Sequence, residues 1–372
     1  MLFLLSFFLR RTFCFHTLSR YFFILGGLLK IYMKYFRSGS TLFILLFLSL
    51  FIVSCMNQNI EESSSDISGE KGTHYVLFTL NDQDWVFPEE SATDVLKFIE
   101  LSETYGIPVD IYVADPIFQY YVESAPEVVE RLRESSVVAV SYHFRPPMPA
   151  YKGFDFLGLA EMGEEERAEV LRAYEEHRLD LETGETLDVP GGYQFVKDTL
   201  GYAPYTVGVM SDSPEIEETM YTIYEEKGAV FLVVHNKEVS LGEMQDGLYL
   251  LPANVEIRLY EYQEAYADGL ITAEEIIQQA LAERTEERGL VINIKMHDNN
   301  FHIDGEAPFW EIYNRDKEPP FDLSLVTAEL ASEEYRTSIW QLYEEMLSYI
   351  SSHPELFQTV NAQDLAAMVE KG

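Results

Sequence analysis

The stretch His74-Tyr75-Val76-Leu77-Phe78-Thr79-Leu80-Asn81-Asp82-Gln83-Asp84-Trp85 runs a near-continuous apolar segment, Tyr75 to Leu80, into an abrupt polar end. A buried strand that delivers carboxylates at its C-terminal end is how α/β barrels and open α/β sheets build sites. Later segments repeat the pattern. Pro108–Val113 ends in Asp115, Val137–Tyr142 in His143, and Tyr205–Met210 in Asp212. Ala229–Val234 ends in His235, and Leu290–Met296 in His297-Asp298. A sixth strand region falls within Leu248 to Leu259, interrupted by Pro252, and a short last strand lies near Phe357–Val360. Helical spacing separates these runs, as in Val95, Leu96, Phe98 and Ile99 after a capping-box pattern at Ser91-Ala92-Thr93-Asp94. The alternation predicts an α/β fold, a distorted (β/α)7-8 barrel. Long insertions follow the third strand (Met148 to Asp188) and the seventh, where Phe309, Trp310 and Tyr313 lie.

Working outward, residues 1–54 are expected to be a leader. They carry six basic and no acidic residues. Met33 is the better start, Met33 to Arg37 a basic region and Thr41 to Val53 an apolar one. Ile52-Val53-Ser54-Cys55 resembles a bacterial lipoprotein box, which implies lipidation of Cys55. Residues 55–73, rich in Ser, Glu and Gly, read as a flexible tether. The expectation is an exported domain, residues 74–372, held to the membrane of a bacterial envelope by a lipid on Cys55. Beyond the leader the chain has 20 basic against 63 acidic residues, a net of −43. That balance argues against nucleic acid as a partner, because phosphate binding needs clustered Lys and Arg.

In a barrel the strand ends converge on one face and would display Asp82, Asp84, Asp115, His143, Asp212, His235, His297 and Asp298. His and Asp side chains on a divalent cation make a hydrolytic site, in which the metal acidifies bound water. Several of these residues have plain structural roles open to them. Asp115 before Pro116 suits a turn, Asp212 a helix cap, and His235 a satisfied core position. His177 and His353 sit in helical or turn contexts.

The order of motifs resembles the NodB-type polysaccharide deacetylases. Thr79-Leu80-Asn81-Asp82-Gln83 looks like that family's Thr-Phe-Asp-Asp-Gly, His143-Phe144-Arg145-Pro146-Pro147 like its His-Ser/Thr-x-x-His, and Asp188-Val189-Pro190-Gly191-Gly192 like its Arg-x-Pro-x-Gly. Lys295-Met296-His297 looks like the late Leu-x-His. The resemblance implies a metal ligand at Asp82, another at His143 and a general acid at His297. It leaves Asn81 where the base belongs and Pro147 where the second His belongs. Asp84 or His235 would then make good the missing base and ligand, and Asp298 would orient His297. The implied cofactor is a divalent ion such as zinc, and the implied activity is removal of acyl groups from a carbohydrate. Trp85, Arg145, Tyr193 and Trp310 are the candidate substrate contacts. A non-catalytic glycan-binding lipoprotein on the same barrel is one alternative. A barrel glycoside hydrolase using two of the carboxylates is another.

Overall fold

Strand β1 (His74–Asp82) is flanked on both sides by parallel partners, which is why its residues from Val76 onward are buried without a polar break. A computed structural model describes residues 73–370 apart from 145, 235–238, 283–288, 306 and 316. The remaining strands are β2 (Val109–Val113), β3 (Val138–His143), β4 (His177–Leu179), β5 (Thr186–Pro190) and β6 (Thr206–Gly208). They continue with β7 (Phe231–Leu232), β8 (Met244–Gln245), β9 (Leu248–Leu250), β10 (Val255–Arg258), β11 (Val291–His297) and β12 (Phe357–Thr359). The main sheet runs β10-β11-β1-β2-β3-β6-β7-β9-β8, with every neighbouring pair up to β9 parallel. Read as a ring, the parallel strands follow chain order. The sheet is therefore a distorted α/β barrel whose seam lies between β9 and β10, among the described residues.

Helices α1 (Pro88–Tyr105), α2 (Asp115–Ser124) and α3 (Pro126–Glu134) follow β1 and β2. Helix α4 (Glu164–Tyr174) and the β4–β5 hairpin make up the insertion after β3. Then come α5 (Gly192–Leu200), α6 (Pro214–Lys227), α7 (Gln263–Ala267) and α8 (Ala273–Ala282). Helices α9 (Asn299–His302), α10 (Phe309–Arg315), α11 (Glu333–Ser352) and α12 (Ala362–Val369) complete the domain. The outward faces of the strands pack on the helices through Phe78, Leu80, Ile111, Val140, Val95, Phe98 and Tyr343. At the other end Leu77, Ala139, Phe231, Val360 and Leu365 close the interior.

The strand-helix rhythm predicted from sequence matches this architecture, with local differences. The sixth strand region splits into β9 and β10 around Pro252. The last strand pairs with β1 beside the ring rather than within it. Helix α1 starts at Pro88, so Ser91 is not its cap and lies buried in its first turns. Asp115 begins α2, and Ser213 rather than Asp212 caps α6. The leader, Cys55 and the tether up to residue 72 lie outside the described residues.

Candidate functional site

Successive residues of a strand point to opposite faces, so the polar end of β1 divides in two. In the ladder Asn81 pairs with His297 on one side and Tyr112 on the other, and Tyr112 pairs with Ser141. By the period of two, His143 shares the face of Ser141. Asn81, His297, Tyr112 and His143 therefore form an inward row at the C-terminal end of the barrel. Asp82, paired with Val113 and through it with Tyr142, faces the other way, toward the helices.

The inward row is held by identifiable contacts. The ring of His297 stacks on Tyr260 at 5.1 Å and 29°, and its backbone N–H donates to Asn300 Oδ1 at 3.1 Å. The imidazole of His143 lies over Gly208, where an added Cβ would stand 3.1 Å from Cε1 and Nδ1. Tyr112 meets His143 edge-on at 6.0 Å. Asn81 is 2% exposed, and its Nδ2 has no acceptor among the described residues.

The outward side is a buried carboxylate network. Asp82, Asp84 and Asp298 are all 0% exposed. Asp82 Oδ1 accepts from Tyr121 OH at 2.7 Å, while Oδ2 has no donor among the described residues. Asp298 Oδ2 accepts from Asp84 N at 2.9 Å and Ser91 Oγ at 2.8 Å, and its Oδ1 likewise lacks a donor. Asp84 Oδ1 accepts from Val86 N at 3.0 Å, and its Oδ2 faces His302 Nε2 at 2.9 Å. The other ring nitrogen, Nδ1, faces Asp94 Oδ2 at 2.7 Å. Burial, then the charge of Asp298, holds the Asp82 carboxyl well above its ordinary range, and the Tyr121 hydrogen bond opposes this. Burial and Asp84 raise Asp298 in the same direction. A like charge beside a carboxylate disfavours its ionised form, so Asp298 adds to the effect of burial at Asp82. For His302, burial works against the charged form, but hydrogen bonds to Asp84 and Asp94 outweigh it and bring the ring to about 10.

His297 and His143 lie on one face. Asp298 does not orient His297, because it is the next residue along the strand end and turns outward to Asp84 and Ser91. Asp84, nominated as a catalytic group, is wholly buried against His302. Tyr193 is wholly buried, donates to Pro204 O, and packs on Tyr142 and Tyr224, so it has no face to offer a sugar. Trp85 is buried at 7%, whereas Trp310 is partly exposed beside Tyr151 and Tyr313. His235 and Arg145 lie outside the described residues.

The metal donor set implied by the deacetylase resemblance does not fit. Asp82 and His143 point to opposite faces of the sheet, and Asp82 is engaged by Tyr121. No group of three or more His, Cys, Asp or Glu among the described residues is arranged to hold a cation. Sequence reasoning missed His302 and Asp94. A signal was present: Ser91 and Asp94 are polar residues one turn apart on the same helix as the apolar Val95, Phe98 and Ile99.

No family model matches this chain, and no curated protein does. Solved structures do. Puue allantoinase superposes with a TM-score of 0.51 at 11% identity, covering 82% of this chain and 93% of that one. The 4-alpha-glucanotransferase of Thermococcus litoralis gives 0.46 at 14% identity over 80% of this chain, which spans 40% of that protein's length. Peptidoglycan deacetylase PdaC of Bacillus subtilis gives 0.36 at 12% identity, with 81% and 93% covered. At these identities the likeness is one of fold.

Proposed function

We propose that this chain is a carbohydrate-directed protein that binds the acyl group of a modified sugar on the inward row of His297, Asn81, Tyr112 and His143. The observation that supports this most directly is Asn81 Nδ2, a buried N–H donor without an acceptor among the described residues. Leaving such a donor unmet costs about 1–3 kcal/mol, so the site favours a ligand that brings an acceptor oxygen. An acyl carbonyl supplies one, and the motif order shared with polysaccharide deacetylases is the reason to expect an acylated carbohydrate. Tyr260 and Trp310, both partly exposed, are the aromatic surfaces suited to a sugar face.

A second reading, acyl hydrolysis by the same row, is favoured by the two imidazoles that share its face. One of them would have to act as general base, because an amide at position 81 cannot. The glycoside hydrolase alternative has less support, since Asp82, Asp84 and Asp298 are wholly buried.

The test is an Asn81→Asp substitution, assayed for binding and for acetate release on N-acetylated and O-acetylated oligosaccharides. The binding reading predicts saturable binding by the wild type without acetate release, and affinity at least tenfold weaker in the variant. Acetate release by the wild type would move the conclusion to hydrolysis. Unchanged affinity in the variant would remove Asn81 from the site altogether.

Export and lipidation belong to the same proposal, supported by Ser54-Cys55 after an apolar run. Cys55→Ala is expected to shift the protein from the membrane fraction to the soluble one. Continued membrane association would count against a lipid on this residue.

A further inference from the structure

The cluster behind the end of β1 concentrates carboxyl groups where water does not reach. Asp84 and Asp298 are 0% exposed and Asp94 is 1% exposed. Isolated buried carboxylates are costly, and proteins offset them with a bound cation or an ionic partner. Here the space between Asp84 and Asp94 is filled by the imidazole of His302, itself 0% exposed. Its Nε2 lies 2.9 Å from Asp84 Oδ2 and its Nδ1 lies 2.7 Å from Asp94 Oδ2. A neutral imidazole has one N–H and cannot donate at both nitrogens, whereas an imidazolium can.

We infer that His302 is a resident cation, an imidazolium that stands in this carboxylate nest where a bound metal ion would otherwise be needed. It joins three segments: Asp84 from the end of β1, Asp94 from α1, and its own α9, which begins at the end of β11. The backbone N–H of Asp84 donates in turn to Asp298, the first residue after β11. The ends of β1 and β11 are thereby tied together, and these are the ends that carry Asn81 and His297 in register. The raised affinity of the ring for its proton agrees with the geometry.

The experiment is chemical rescue of His302→Ala in the full chain, read by thermal unfolding. Sodium chloride is compared at matched ionic strength with imidazolium chloride and with calcium chloride. If the charge is what matters, the variant melts roughly 10 °C or more below wild type, and either imidazolium or calcium restores at least half of that loss. The wild type responds to neither. A variant that neither ion restores has lost packing alone, and the inference fails. If the variant does not fold, 15N NMR of the wild-type ring at pH 8 decides. Two protonated ring nitrogens support a resident cation, and one protonated nitrogen overturns it. Stoichiometric divalent metal in the purified wild type, removed with loss of stability by a chelator, would also overturn it.

Discussion

Asp84→Asn is expected to destabilise the domain by about 3–5 kcal/mol, the range for removing one partner of a buried ion pair. The carboxylate serves donors on both oxygens, Val86 N and Phe87 N through Oδ1 and His302 Nε2 through Oδ2. An asparagine keeps the volume but offers one acceptor oxygen, so its NH2 group must face either the backbone N–H or the ring. The imidazolium is left with Asp94 as its bonded carboxylate partner in a site that excludes water. For a domain of this size the loss corresponds to a fall in melting temperature of roughly 5–8 °C. Scanning calorimetry checks it, and a change below about 2 °C would mean that the Asp84–His302 contact contributes little to stability.

The second large effect is a pH dependence opposite to that of proteins held by exposed salt bridges. Burial raises Asp115 to about 6, Glu175 to about 7 and Asp110 to about 8. Hydrogen bonds oppose the shift in each case, from Gln119 and Gly192 N to Asp115, from Tyr193 N and Tyr224 to Glu175, and from Ala362 N to Asp110. Each carboxyl holds its proton more tightly folded than unfolded. Between the ordinary carboxylate range and these raised values the native state binds more protons, so stability falls as pH rises from about 4 to about 8. His302 adds to the same trend. Its contribution is complete below the unfolded value of 6.5 and is lost as pH rises through about 10. Glu175 alone, raised from 4.5 to about 7, carries on the order of 3 kcal/mol of this slope. Unfolding midpoints should therefore be highest near pH 5 and decline toward pH 9. Glu175→Gln, which fixes a neutral side chain there, is expected to flatten the profile between pH 5 and 7. A midpoint that rises with pH over that interval would contradict the assignment.

Much of the architecture was legible because the apolar runs were strong. Tyr75–Leu80, Pro108–Val113, Val137–Tyr142 and Leu290–Met296 all mark strands of the ring. The part of the site that was not legible turns on a single geometric rule. Asn81-Asp82 and His297-Asp298 each look like one functional pair in the sequence. The pleat separates them, sending Asn81 and His297 inward and Asp82 and Asp298 outward. Motif matching treats adjacent letters as neighbours in space, whereas a strand end makes them opposites. Ser91 shows a second limit. Its spacing to Asp94 resembled a helix start, yet Phe87-Pro88 had already begun the helix, and both residues instead serve the buried network. His302 lies in a one-turn helix too short for any periodic signal, and its partners are more than 200 positions away in the chain.

The division of β1 into a ligand-facing row and a structural network is tested most directly by NMR titration of the isotope-labelled chain with a soluble N-acetylated oligosaccharide. The side-chain amide of Asn81 and the ring signals of His143 and His297 should shift together and saturably, while the ring N–H signals of His302 stay in place. Binding that moves His302 and leaves the Asn81 amide unchanged, or no saturable shift with any acylated oligosaccharide, would contradict it.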